Sequence, residues 1–261
     1  MELGLSGKTA LVVASSQGLG RAISTALVKE GTNVMLLSRN KESLISLQKE
    51  LTALNMGKVM YTVCDITNKE NIKEAVKYTG DTFGTIDILV NNAGGPKPGT
   101  FEQLADEDWY HSFELNLLSY VRMIREVLPY MKERGGKILN IASSSIKEPI
   151  PGLLLSNTFR TGITGLSKTL AAELAPYHIL INTIAPGRIA TDRVASLDEM
   201  AAEKRSITVE EVQKQYESMI PLGRYGQPVE FATFATFLVS EANSYMTGQS
   251  FLVDGGMVKS L

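Results

Sequence analysis

The residues best placed to do chemistry lie in Ala14-Ser15-Ser16-Gln17-Gly18-Leu19-Gly20, which closes the β-rich run TALVVA (9–14) and opens a helical pattern. Glycines at such a turn let backbone approach a phosphate and let the helix pack on the sheet, while the helix N-terminus turns free N–H groups toward the anion. Gly18 and Gly20 fill two such positions, and Ser15 stands where the first glycine is expected. Alone, the pair fits a plain strand-to-helix turn equally well. About twenty residues further on, an acid at the end of the second strand would bond a ribose 2′-OH, whereas an arginine would accommodate a 2′-phosphate. The chain has Ser38-Arg39-Asn40 there. If a dinucleotide binds, Arg39 selects NADP(H) over NAD(H); if none does, it is a solvated loop residue.

Other chemistries are poorly served. His111 and His178 have no Ser/Asp partners of hydrolase type, and no Gly-x-Ser-x-Gly elbow occurs. The single cysteine, Cys64, excludes an intramolecular disulfide, and with two histidines it cannot complete a zinc cage, so no metal is expected. Of the 261 residues 44% are apolar and 21% charged, the balance of a globular protein, and the net charge of −2 supplies no field for nucleic acid or anionic lipid. No apolar run approaches a membrane span and no secretory leader is visible, so the expected location is the cytoplasm, with no membrane partner.

The elements that must position these residues alternate regularly. Strand patterns at 9–14, 33–37, 58–63, 86–90, 137–142 and 179–185 are separated by helical patterns at 19–29, 41–54, 67–76, 106–132 and 154–175. Thr67/Glu70 and Thr208/Glu211 read as capping boxes. After Pro186-Gly187 the rhythm breaks over 192–220, which reads as a helical lid containing a helix at 209–219, then returns as a helix at 229–240 and a last strand at 249–253. The expectation is an α/β fold: a single Rossmann-type, doubly wound domain over 1–261 with a seven-stranded, mostly parallel sheet.

The order of motifs resembles the short-chain dehydrogenase/reductase family, especially its 3-oxoacyl-acyl-carrier-protein reductases, over nearly the whole chain. The matching segments are Gly18-Leu19-Gly20, Cys64-Asp65-Ile66, Asn91-Asn92-Ala93-Gly94, Asn116, Ser143, Pro186-Gly187 with Thr191, Pro221-Leu222-Gly223-Arg224 and Val253-Asp254-Gly255-Gly256. The resemblance implies a cofactor cleft of Ser15, Gly18, Leu19, Gly20 and Arg39, with Asp65 and Ile66 near the adenine. It puts Asn91, Ala93 and Gly94 along the cofactor, and Pro186, Gly187, Ile189 and Thr191 around the carboxamide. It also implies a small carbonyl or alcohol substrate and a homotetramer built on the helices at 106–132 and 154–175.

The family's catalytic pair, Tyr-x-x-x-Lys, is expected thirteen residues after Ser143, where this chain has Ser156 and Arg160. Gly165-Leu166-Ser167-Lys168 and Ala172-Glu173-Leu174-Ala175-Pro176 keep the register without a gap. A serine hydroxyl is a far weaker acid than a phenol of pKa about 10, and it is shorter. Loss of a general acid costs a factor of about 10²–10⁴. The catalytic candidates are thus Ser143 to orient the oxygen, Asn116 to support a water, Ser156, and Arg160 to hold ribose and charge. Ser144, Ser145, Lys97 and Lys147 are further donors. The expected activity is an NADP(H)-dependent oxidoreductase with an altered catalytic set; the alternative is a catalytically impaired dinucleotide-binding homologue acting as sensor or partner subunit.

Overall fold

A computed structural model describes residues 2–260. Seven strands, β1 (Thr9–Val13), β2 (Asn33–Ser38), β3 (Val59–Val63), β4 (Ile88–Asn91), β5 (Gly136–Ile141), β6 (Ile179–Pro186) and β7 (Ser250–Val253), form one sheet in the order β3-β2-β1-β4-β5-β6-β7. All six pairings are parallel, with Leu11 opposite Met35 on one side and Leu89 on the other. Parallel neighbours require crossovers, which the helices supply on both faces.

Period-two alternation sorts the strand side chains into two layers. Ala10, Val12, Val34, Leu36, Val90 and Ile184 pack with Ile23 and Leu27 of α1 (Gly18–Lys29), Leu44 and Leu47 of α2 (Lys41–Thr52) and a later helix bearing Phe231. Leu11, Val13, Met35, Leu37, Leu89 and Ile181 face the other way. They meet Ile72 of α3 (Lys69–Phe83), Met123 and Val127 of α5 (Ser119–Met131) and Ile163 of α6 (Leu154–Leu174). Strand order reverses between β1 and β4, and that switch point opens a crevice at the carboxyl ends of the strands.

Two expectations change and a third is made more definite. The segment 106–132 is not one regular helix: α4 (Asp106–Phe113) and α5 are joined by a π-helical turn at Glu114–Leu118. Helix α3 is capped by Asn68, whose Oδ1 accepts from the N–H groups of Glu70 and Asn71, because Thr67 is held instead by its two bonds to Asp65 Oδ1. The segment after Thr191 is helical as expected and resolves into α7 (Asp192–Arg205) and α8 (Val209–Met219), the latter carrying the expected Thr208/Glu211 box. Helix α9 (Pro228–Leu238) then leads to β7.

Helices α7 and α8 are pinned to the end of β6. Arg188 Nη1 donates to Asp198 Oδ1 at 2.5 Å, Tyr225 OH donates to Asp198 Oδ2 at 3.1 Å, and the Arg188 guanidinium lies 3.3 Å from the Tyr216 ring centroid. Asp198 is fully buried, so both carboxylate oxygens need these partners.

Candidate active site

The crevice is lined from β1 and α1 by Ala14, Gln17, Gly18 and Leu19, and from the β4 loop by Asn92 to Pro96. Ala142 and Ser143 follow β5, Ser156 and Arg160 come from α6, and Pro186, Gly187, Ile189 and Thr191 follow β6. These are four consecutive strand ends of the parallel sheet, brought together by topology alone. Asp192, Arg193, Val194 and Leu197 of α7 close the outer side, and the enclosed part is about 250 Å3.

The first turn differs from the sequence reading by one residue. The left-handed conformation that favours glycine belongs to Ala14 (φ 50), not to Ser15. Ser15 is fully buried, its N–H and Oγ both donating to the Leu37 carbonyl at 3.0 and 3.2 Å, so it ties β1 to β2 and does not line the crevice. Gly20 is needed for close approach: a Cβ there would stand 2.2 Å from the Ala14 carbonyl oxygen. Gly18, at φ 54, lies against Thr191. Helix α1 has no side-chain cap at Gln17 and no acidic residue in its first turn, which leaves N–H groups facing the crevice.

Toward the far end, Ser16 Oγ and Ser38 Oγ are 2.8 Å apart, beside exposed Arg39, which forms no ion pair among the described residues. Asp65 follows β3 on this side. Partial burial pushes its carboxyl up, but the Thr67 bonds and the Arg39 charge outweigh that, so it sits below the usual range. Ile66 is buried beside it. The donor set therefore fits a dinucleotide: free helix-terminal N–H groups for a pyrophosphate, and hydroxyls with a guanidinium for a 2′-phosphate.

Asn91 and Asn116 do not reach the crevice. Asn91 Nδ2 donates to Asn140 Oδ1 at 2.9 Å, Asn140 Nδ2 to Ser167 Oγ at 2.9 Å, and Thr183 Oγ1 to Ser167 Oγ at 2.9 Å. This buried chain joins β4, β5, β6 and α6 beneath the site. Asn116, in the π turn, donates from Nδ2 to the Gly94 carbonyl at 2.8 Å and accepts from Ser112 Oγ. It holds the loop that lines the crevice.

Ser156 and Arg160, one turn apart on α6, are 6% and 4% exposed. Ser145 Oγ lies 3.5 Å from Ser156 Oγ, and the Ser145 N–H donates to Ser143 Oγ at 3.2 Å, which leaves the Ser143 proton to give to a ligand. Arg160 is largely spent on the protein. Nη1 donates to Tyr120 OH at 2.8 Å and the Ile141 carbonyl at 2.9 Å, and Nη2 to the carbonyls of Ala93 at 3.0 Å and Gly94 at 3.4 Å. Tyr120 itself donates to Ile141, and its burial pushes the phenol up. Lys97 pairs with Asp108 at 2.8 Å and Lys147 is exposed, so neither lines the crevice.

Sequence reasoning did not single out Ala14 as the left-handed residue, the Tyr120 support of Arg160, or Arg193. The turn register could have been fixed by counting back from Gly18 and Gly20. The Tyr120–Arg160 bond, across 40 residues, leaves no local signal.

Residues 13–258 match the family model described as enoyl-(acyl carrier protein) reductase. The 3-oxoacyl-[acyl-carrier-protein] reductase of Thermotoga maritima is 37% identical over 255 residues, 97% of this chain and 99% of that protein. An NADPH-dependent reductase of Bacillus subtilis is 32% identical over 98% of this chain and 100% of that protein. Among solved structures, L-sorbose reductase of Gluconobacter frateurii, complexed with NADPH and L-sorbose, superposes with a TM-score of 0.95 at 32% identity over 100% of both chains. The chain belongs to the short-chain dehydrogenase/reductase family of oxidoreductases and resembles its 3-oxoacyl-acyl-carrier-protein reductases. None of its described helices is long and apolar enough to cross a membrane.

Proposed function

We propose that the protein is an NADP(H)-dependent carbonyl reductase working with an altered catalytic set. The observation that carries this reading is the meeting of the uncapped α1 N-terminus and the Ser143 hydroxyl on one crevice, with Arg39, free of any ion pair among the described residues, just past the end of the neighbouring β2. NADPH, when bound, supplies a hydride to a carbonyl carbon. Gly18 and Leu19 hold the pyrophosphate at the helix end, and Ser16, Ser38 and Arg39 hold the 2′-phosphate. Asp65 and Ile66 flank the adenine, while Pro186, Gly187, Ile189 and Thr191 flank the carboxamide.

Ser143 gives its proton to the substrate oxygen as a hydrogen-bond donor. Ser145 Oγ and Ser156 Oγ form a hydroxyl pair behind it, and solvent at the open crevice supplies the compensating proton. Arg160 keeps positive charge beneath the site and fixes the loop carrying Ala93 and Gly94. Without a phenolic acid the step is slower by about 10²–10⁴ than with one. The NADPH-dependent relatives favour a reductase over a binding-only homologue. Helices α7 and α8 act as the substrate lid, and the exposed Phe101, Tyr110 and Phe113 near α4 favour a homotetramer built on α4, α5 and α6; a monomeric mass in solution would refute that assembly.

The test is a titration with NADPH and NADH, followed by energy transfer from Trp109 or by calorimetry. Preference for NADPH in the wild type, reversed in Arg39→Asp, is the expected result, together with turnover on a carbonyl panel that falls in Ser143→Ala. Absence of binding for both nucleotides refutes the reading.

A further inference from the structure

The substrate side of the crevice carries two guanidinium groups. Arg193, the second residue of α7, reaches across the opening: its Nη2 donates to the Pro96 carbonyl at 3.2 Å, and the guanidinium lies against Gly95, where a Cβ would stand 2.7 Å from Nη2. Arg160 lines the same space from below. Neither pairs with a carboxylate among the described residues, although Asp192 also lines the crevice. The crowding is felt at Arg193, whose affinity for its proton is lowered by burial and then by the Arg160 charge. Arg160 has Tyr120 and three carbonyls as partners, whereas Arg193 has one.

Two cations without a carboxylate partner facing one space repel a further cation and favour an anion, which recovers Coulomb energy and gains charge-assisted bonds. The neighbouring Leu153, Val194 and Leu197 supply apolar wall beside them. The planar fork of an arginine matches a carboxylate.

Resting on the reductase reading, we propose that the substrate is a small oxo acid whose carboxylate is held by Arg193 while Ser143 meets its carbonyl oxygen. Arg193 is then the residue that sets specificity, and Gly95 is required because any side chain there would displace it.

The experiment compares pyruvate and acetoacetate with their methyl esters, by calorimetry on the protein saturated with NADP+ and on the nucleotide-free protein, and by steady-state rates with NADPH. At least one acid should outbind its ester about 10- to 100-fold, the worth of a charge-assisted bond, with the same preference in kcat/KM. Arg193→Met should erase the preference, Arg193→Lys retain part of it, and Gly95→Ala lower it with the guanidinium still present. NADPH affinity and thermal midpoint report whether each variant keeps its fold. Equal binding of acid and ester, binding of neither, or a preference that survives in Arg193→Met overturns the proposal. So does a variant that weakens NADPH and leaves the acid preference intact, for then Arg193 serves the pyrophosphate. If no nucleotide binds, the reductase reading fails, and the acid-to-ester ratio of the nucleotide-free protein still judges Arg193.

Discussion

Sequence reasoning sets Arg160 at the position where the family expects a catalytic lysine, yet its geometry makes it first a structural tie, and replacement by methionine separates the two roles. The loss can be worked out partner by partner. The Ile141 carbonyl keeps Tyr120 OH as a donor, and the Gly94 carbonyl keeps Asn116 Nδ2. The Ala93 carbonyl loses its Nη2 donor at 3.0 Å, and Tyr120 OH loses the group it accepts from. One newly unsatisfied buried acceptor costs about 1–3 kcal/mol, and the forfeited bonds to the other acceptors add about 0.5–1.5 kcal/mol each. Relief from desolvating the guanidinium offsets part of this. Arg160→Met should therefore destabilise the ligand-free protein by about 2–4 kcal/mol, lowering the thermal midpoint by about 4–16 °C at about 2–4 °C per kcal/mol. Arg160→Lys should fall between, because a single ammonium cannot bridge Tyr120 and Ile141 on one side and Ala93 on the other. Tyr120→Phe should cost about 1 kcal/mol alone and less in the Arg160→Met background, since the pair shares a bond. The assay is thermal unfolding without nucleotide. A midpoint for Arg160→Met within about 1 °C of wild type, against the shift expected at this size, would refute the reasoning.

Gly20→Ala places a methyl group 2.2 Å from the Ala14 carbonyl oxygen, which is backbone and has nowhere to go; stability should drop by about 1–3 kcal/mol, and NADPH titration should show weakened binding as the turn opens. Cys64 is buried, and that burial, with Asp65 and Glu74 nearby, pushes its thiol up to about 12; a thiol reagent at neutral pH should leave the native protein unlabelled and label it fully in urea. The side-chain bonds from Arg224 to Glu230, helped by the Gln227 N–H, hold that carboxyl down at about 2. A depressed folded value means the contribution is complete above the ordinary glutamate pKa of about 4.3 and is lost as pH falls through about 2. The urea midpoint should accordingly fall less on acidification in Glu230→Gln than in wild type.

The strands and most helices were legible because buried parallel strands must be apolar on both faces and their crossovers amphipathic, so Leu11 and Val12, or Leu44 and Leu47, announce their layers. Helix α7 was legible only as part of a helical segment with no bounds of its own, since its sequence DRVASLDEMAAEKR carries almost no apolar stripe. It is held by a polar lock, Arg188 on Asp198 beside Tyr225, which periodicity cannot register. The same division runs through the site. Residues whose role is backbone shape, such as Gly18 and Gly20, could be read from spacing, because a turn is local.

Residues whose role is a hydrogen bond across the sheet could not. Asn91 and Asn116 stand in motif positions that sequence reasoning assigned to cofactor and water, but each amide has a nearer claim, Asn140 for one and the Gly94 carbonyl for the other. Arg160 is the sharpest case, for its charge, burial and place on α6 were all readable, and what decides its chemistry is Tyr120, a residue on a different helix. A buried guanidinium satisfied by protein acceptors has few donors left for a ligand. The under-partnered cation of this crevice is therefore Arg193, carried on a helix that the hydrophobic pattern alone did not announce. On the proposed reading, Ser143 after β5 sets where a carbonyl oxygen is met, and Arg193 on α7 then sets which carbonyl compound is held there.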